Sequence, residues 1–195
     1  MKRVQESIVL TGFTMAIASI FLMAIGNQAF AIEYITYTSE KYKIQFEYPS
    51  DWTVTEKTSR FDVAHDIKVM SGPSSFSIEH YDDKESIKWA SNIESATEDL
   101  LISFPFYMSI FDISTIEDPS YLTIDGQKAG TFLVLMKDKS DSRLKVANQQ
   151  WIVSAGDRSY QITNMLPATD FDSPENTEIR NHFINSIKFL GNNES

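Results

Sequence analysis

Polar and apolar positions alternate first along Tyr42 to Tyr48, where Tyr42, Ile44, Phe46 and Tyr48 are separated by Lys43, Gln45 and Glu47. That period of two predicts a strand with one buried face, closed by Pro49-Ser50-Asp51. Strand patterns recur at Ile67 to Met70 and at Phe76 to Tyr81, joined by the tight-turn residues Ser71-Gly72-Pro73. From Glu85 to Phe104 the period lengthens. Ile87, Ala90, Ile93, Thr97, Leu100, Leu101 and Phe104 recur every three or four residues and predict one amphipathic helix, ended by Pro105. Strands are expected again at Phe111 to Ile116 and near Tyr121 to Ile124, where Asp125-Gly126 has the chemistry of a hairpin turn. Ala129 to Met136 is almost wholly apolar, as expected of a central strand covered on both faces. After a polar loop at Lys137 to Arg143, Leu144 to Ala155 reads as a long strand that Gly156-Asp157 turns into another at Tyr160 to Leu166.

A closing helix is announced by Ser173 as N-cap, Pro174 at the first helical position and Glu175 near the positive end of the dipole. Its apolar face is Ile179, Phe183, Ile184 and Ile187, and Gly191 is expected to end it. Strands, helix, strands, helix is the order of an α+β protein, an antiparallel sheet flanked by helices. The core should include Tyr42, Phe46, Trp52, Phe132, Val134, Trp151, Ile162, Phe183 and Ile187. As a core anchor, Trp52 should cost about 3–5 kcal/mol when replaced by alanine.

The N-terminus follows a different pattern. Met1, Lys2 and Arg3 precede an uncharged run from Ser7 through Ile32, with Ala29-Phe30-Ala31 as a signal-peptidase site. Residues 1–31 therefore read as a signal peptide cleaved before Ile32, or as an N-terminal anchor touching the membrane through residues 8–25, with residues 32–195 forming one exported domain. Without residues 1–31 the chain loses Lys2, Arg3 and Glu6 and keeps 15 basic and 26 acidic side chains, a net charge of −11. Such a surface argues against nucleic acid, whose binding needs clustered Lys and Arg. The chain has no cysteine, which removes disulfides, thiol chemistry and a lipoprotein anchor.

Chemistry-bearing residues are few. His65, His80 and His182 are the only imidazoles, and none is spaced as a metal pair. Glu79-His80-Tyr81-Asp82-Asp83 is the best local cluster, in which His80, Asp82 and Asp83 are weak candidates for a cation. The competing reading has the acidic residues solvating the loop and capping the helix. Asp138-Lys139-Ser140-Asp141 and Asp170-Phe171-Asp172 lack the Gly and terminal Glu of an EF-hand and read as solvated turns. No nucleophile elbow, dinucleotide fingerprint, P-loop or zincin motif is present, so no catalytic residue and no cofactor is assigned.

The segment YKIQFEYPSDW, Tyr42 to Trp52, resembles the opening signature of PsbP-like domains, a strand ending in a Tyr-Pro-x-x-Trp turn. The turn Ile124-Asp125-Gly126, the hairpin GDRSYQIT from Gly156 and the closing FINSIKFL from Phe183 are similar to that family in the same order, over residues 33–190. The resemblance implies an α/β/α sandwich around an antiparallel sheet, exported and associated with a membrane complex. The best-known members are extrinsic subunits of photosystem II that help retain calcium and chloride. The N-terminal segment departs from the plastid members, having no Arg- and Ser-rich transit region, and resembles that of exported prokaryotic members, archaea included. The leading expectation is a non-enzymatic domain that binds or stabilises a membrane-associated complex through a protein partner. The alternative is a small-molecule or cation-binding protein with a pocket between sheet and helix, and an unrecognised hydrolase comes last.

Overall fold

The computed structural model describes residues 32–56 and 66–191. Residues 1–31, which hold the expected signal or anchor, and His65 lie outside the described residues. The chain divides into two units, Met1–Glu33 and Tyr34–Ser195, and the structure below is that of the second. None of the described helices is long and apolar enough to cross a membrane.

Seven strands form an antiparallel sheet in the order β3-β4-β5-β9-β8-β7-β6. They are β3 (Thr53–Glu56), β4 (Ile67–Ser71), β5 (Ser74–Tyr81), β6 (Phe111–Ile124), β7 (Gln127–Asp138), β8 (Lys145–Ala155) and β9 (Arg158–Pro167). A smaller sheet, β1-β2-β10, comprises β1 (Tyr34–Ser39), β2 (Ile44–Pro49) and β10 (Lys188–Phe189). Helices α1 (Lys84–Ala90) and α2 (Ile93–Tyr107) cover one face of the large sheet, and α3 (Pro174–Ser186) packs with the small sheet on the other. The meander from β6 to β9 is built from short hairpins, and Asp125-Gly126 turns β6 into β7 with both residues at positive φ, +46° and +78°. A two-residue turn of that hand matches the twist of the flanking strands.

Two layers of core follow from strand alternation. Toward α2, Phe132, Val134 and Met136 of β7 pack on Phe104. Toward α3, Phe183 stacks on Phe76 with ring centres 4.0 Å apart and tilts against Phe46 at 4.9 Å. The Tyr160 hydroxyl, buried under the small sheet, donates to the carbonyls of Tyr42 (2.9 Å) and Lys43 (3.3 Å) and so ties the β1–β2 turn to β9. Burial pushes that phenol up to about 12.

Four sequence expectations change. The helix read over Glu85 to Phe104 is two helices, because Ser91 caps α1 while the Asn92 side chain accepts from Ser95 N at 3.2 Å and starts α2. An Asn side chain offers the backbone a bond that a continuous helix would not. Pro105 lies inside α2 rather than after it: it removes one donor, but its fixed φ is already helical, and the last turn closes with Met108 N donating to Phe104 O at 3.0 Å. The closing helix ends at Ser186, not Gly191. Ile187 is extended and buried, and Lys188-Phe189 pair with Gln45 and Ile44 of β2.

Trp52 is the fourth. Eight of the nine expected core residues are buried, whereas Trp52 is half-buried, its ring 6.0 Å from Phe76 at the sheet edge. An indole that keeps part of its surface in water loses less on truncation, so Trp52→Ala is expected to cost about 1–2 kcal/mol in urea denaturation, below the figure for a sealed core aromatic. A loss of about 4 kcal/mol would place the indole in the core after all.

Candidate functional site

The acidic cluster at the end of β5 does not converge. His80 pairs with Tyr160 across β5 and β9, and its ring lies against Tyr42 (5.7 Å) and Tyr160 (5.6 Å) beneath the small sheet. Burial holds its pKa below the usual imidazole range, against the pull of Asp82 and Asp66. Its Nε2 is buried without a protein partner. Asp82 is exposed in the loop that follows, and Asp83 caps α1, its Oδ1 accepting from Glu85 N (3.1 Å) and Ser86 N (2.9 Å). Those bonds to the ionised form hold the Asp83 carboxyl below the ordinary range. Among the described residues no three His, Asp or Glu side chains are grouped to hold a metal. Titration of the protein with calcium, manganese or zinc is expected to give small thermal shifts from screening alone, unchanged in a His80→Ala, Asp82→Ala variant. A shift of several degrees abolished in that variant would establish a cation site.

The other acidic turns are committed to local bonds. Asp138 Oδ1 accepts from Ser140 N (2.7 Å) and Asp141 N (3.0 Å), and Asp141 receives Arg143 through Nε (2.9 Å) and Nη2 (2.8 Å). Asp170 Oδ1 accepts from Thr169 Oγ1, while its neighbour Phe171 is buried. His182 packs face to face on Tyr34, 3.6 Å between ring centres, and its Nε2 meets Glu47 Oε2 at 2.7 Å.

One surface feature stands apart from this. The last turn of α2 and the turn into β6 carry Ile102, Phe106, Tyr107 and Ile110 with exposures of 78%, 88%, 74% and 66%. Ile102 and Phe106 are four residues apart and share the helix face opposite the buried stripe Ile93, Ala96, Thr97 and Phe104. α2 runs three residues past Phe104, its last buried residue, and Phe106 and Tyr107 in that stretch are exposed. The tip is held in place rather than loose. Phe111 N bonds Met108 O (2.9 Å), Lys139 N bonds Ile110 O (3.2 Å) and Lys139 Nζ bonds Ser109 O (2.7 Å). Leu144, also exposed, belongs to the loop that braces it. These four large apolar side chains are exposed at one end of a domain of net negative charge.

Two further features escaped the sequence reading. Asp125, read as a turn residue, accepts from Phe189 N at 2.8 Å and pairs with Lys188 at 3.0 Å, so the hairpin turn also holds β10. At the centre of β8, buried Gln150 receives Gln161 Nε2 (3.1 Å) and Thr163 Oγ1 (2.9 Å) and donates to Asn148. Three adjacent polar residues, Asn148-Gln149-Gln150, are the only sequence sign of it.

An antiparallel seven-stranded sheet with helices on both faces and a small second sheet defines an α+β sandwich. Among solved structures this arrangement is that of PsbP, and the domain has the PsbP-like fold. It superposes on the PsbP protein of the cyanobacterium Synechocystis, CyanoP, with a TM-score of 0.59 at 9% identity, over 84% of this chain and 96% of that one. LpqN of Mycobacterium tuberculosis, involved in cell envelope biogenesis, matches with a TM-score of 0.51 at 13% identity, over 81% of this chain and 91% of that one. A structure from Bacteroides thetaiotaomicron matches with a TM-score of 0.52 at 13% identity, over 82% of this chain and 49% of that one. No family model matches the chain, and no curated protein matches it.

Proposed function

We propose that the chain is an exported, non-enzymatic PsbP-like domain that docks on a membrane-associated protein complex at the outer face of the cytoplasmic membrane. The observation that carries this reading is the braced apolar tip of α2, four large side chains at least 66% exposed on one end of the domain. Burying such a tip against a partner supplies the association energy that a uniformly acidic surface cannot. Residues 1–31, as a signal peptide or as an anchor through residues 8–25, would deliver the domain of residues 32–195 to that face. The part that LpqN plays in cell envelope biogenesis supports the same address. The non-enzymatic part rests on the two described imidazoles: His80 is half-buried against the rings of Tyr42 and Tyr160, and His182 is engaged with Glu47.

Phe106→Ser together with Ile110→Ser is expected to leave stability within about 0.5 kcal/mol, since both side chains already face water. The same pair should abolish co-purification of the partner proteins that the tagged wild-type chain recovers from native membranes. Recovery of the same set by the variant would move the docking surface elsewhere.

A further inference from the structure

A cleft of about 230 Å³ lies between α3 and the sheet face formed by β6, β7 and β8, away from the apolar tip. Strand pairing sets its floor. Thr131 stands opposite Trp151, and Leu133 stands opposite both Glu117 and Gln149, so these side chains share the face that α3 covers. Arg180 and Ile184, four residues apart on α3, form the wall. Register shifts in β6 fall on either side of Glu117, and such bulges re-aim a side chain that regular pairing would place elsewhere.

The two rims of the cleft carry opposite charge. Arg180 is half-buried, lies 4.0 Å over the Phe171 ring and donates Nη1 to Phe171 O at 3.0 Å. A guanidinium has five donors in a fixed fork and stays protonated, so this one contact leaves donors for a ligand. Glu117 lines the other rim, and Asp172 first and then Glu117 stabilise the Arg180 charge against the cost of its burial. Gln149 Oε1 is buried with no protein donor, while its Nε2 makes only a 3.5 Å contact with Thr131 Oγ1. A buried acceptor without a donor is costly and awaits one. The rest of the lining is mixed: Leu122, Trp151 and Ile184 give it an apolar part, beside the polar Ser120, Thr131, Asn181 and Asn185.

We propose that this cleft binds a free α-amino acid with a small apolar side chain. The carboxylate takes the open donors of Arg180, the ammonium lies between Glu117 and Gln149 Oε1, and the side chain rests on Trp151 and Ile184. A simple anion would face Glu117 and a simple cation would face Arg180, whereas a zwitterion satisfies both. The volume agrees: it equals about seven or eight waters at roughly 30 Å³ each and falls below the roughly 300 Å³ at which drug-sized pockets begin.

Isothermal titration of the full-length chain in mild detergent with the twenty common amino acids tests this. One or more of alanine, valine, leucine and isoleucine should bind saturably. For leucine, 4-methylpentanoate, which lacks the ammonium, and 3-methylbutylamine, which lacks the carboxylate, should not. Glu117→Gln, on an exposed side chain, should weaken binding by about tenfold or more, as expected for loss of a charge-assisted bond. Arg180→Gln should do the same, with Glu117→Gln deciding if the arginine variant loses the Phe171 contact and unfolds. Absence of binding by every amino acid overturns the proposal, as does binding that survives Glu117→Gln or is matched by 4-methylpentanoate. None of these results bears on the docking tip, which lies on a different element.

Discussion

Phe183→Ala is expected to destabilise the protein by about 3–5 kcal/mol, the range for emptying a sealed aromatic site. Phe183 is 0% exposed, and its ring joins α3 to the large sheet through Phe76 and to the small sheet through Phe46. Its ring neighbours come from two separate elements, β2 and β5, so the space cannot close by moving one of them. Against the 5–15 kcal/mol that holds a typical domain, this is a large share. Urea denaturation should show a lower midpoint at nearly unchanged slope, because the surface exposed on unfolding stays almost the same. A loss under about 1.5 kcal/mol would mean that α3 is held by something other than this stack.

The second large effect is expected at Gly130, where α2 packs tightly against the sheet. A Cβ there would sit 1.8 Å from Thr97 Oγ1 and 3.1 Å from Ile93 Cγ2. Thr97 cannot turn away cheaply, since it is 0% exposed and its hydroxyl donates to Ile93 O at 2.6 Å. Gly130→Ala should therefore push α2 off β7 at a cost of about 2–3 kcal/mol, the usual range for overpacking. Removing the obstructing hydroxyl by Thr97→Ala in the same chain should return part of that loss, giving a coupling of about 1 kcal/mol or more in a double-mutant cycle. Strictly additive costs would show that the helix is not seated on Gly130.

Much of the architecture was legible because it rests on local chemistry. Alternation marked β2, β4 and β5, Asp125-Gly126 and Gly156-Asp157 marked their hairpins, and Ser173-Pro174-Glu175 marked the start of α3. The edges were less so. In β1, Tyr34–Ser39, the burial runs irregularly and half of the residues are exposed, so no period stands out. β10 is two residues long and exists only through its pairing with β2. The break at Ser91-Asn92 was hidden because the apolar spacing continues across it.

The sites were harder to read for a different reason. Glu117, Gln149 and Arg180 come from three elements far apart in the chain, brought together by strand register, the β6 bulges and the packing of α3 on the sheet. For the tip, the run LLISFPFYMSIF holds more apolar residues than one helix face can bury. Periodicity identifies that face, but only the position of the sheet decides which residues are left over. Asp83 went the other way, and its role as helix cap is the ordinary use of an aspartate between a strand and a helix.

Docking through the end of α2 is the central claim, and site-specific photocrosslinking tests it most directly. A photoreactive phenylalanine analogue placed at position 106 of the full-length chain, in native membranes, should give one or a few discrete crosslinked proteins. The same group at position 157, in the exposed β8–β9 turn at the other end of the sheet, should give none of them. Discrete products from position 157 with none from position 106 would contradict the account.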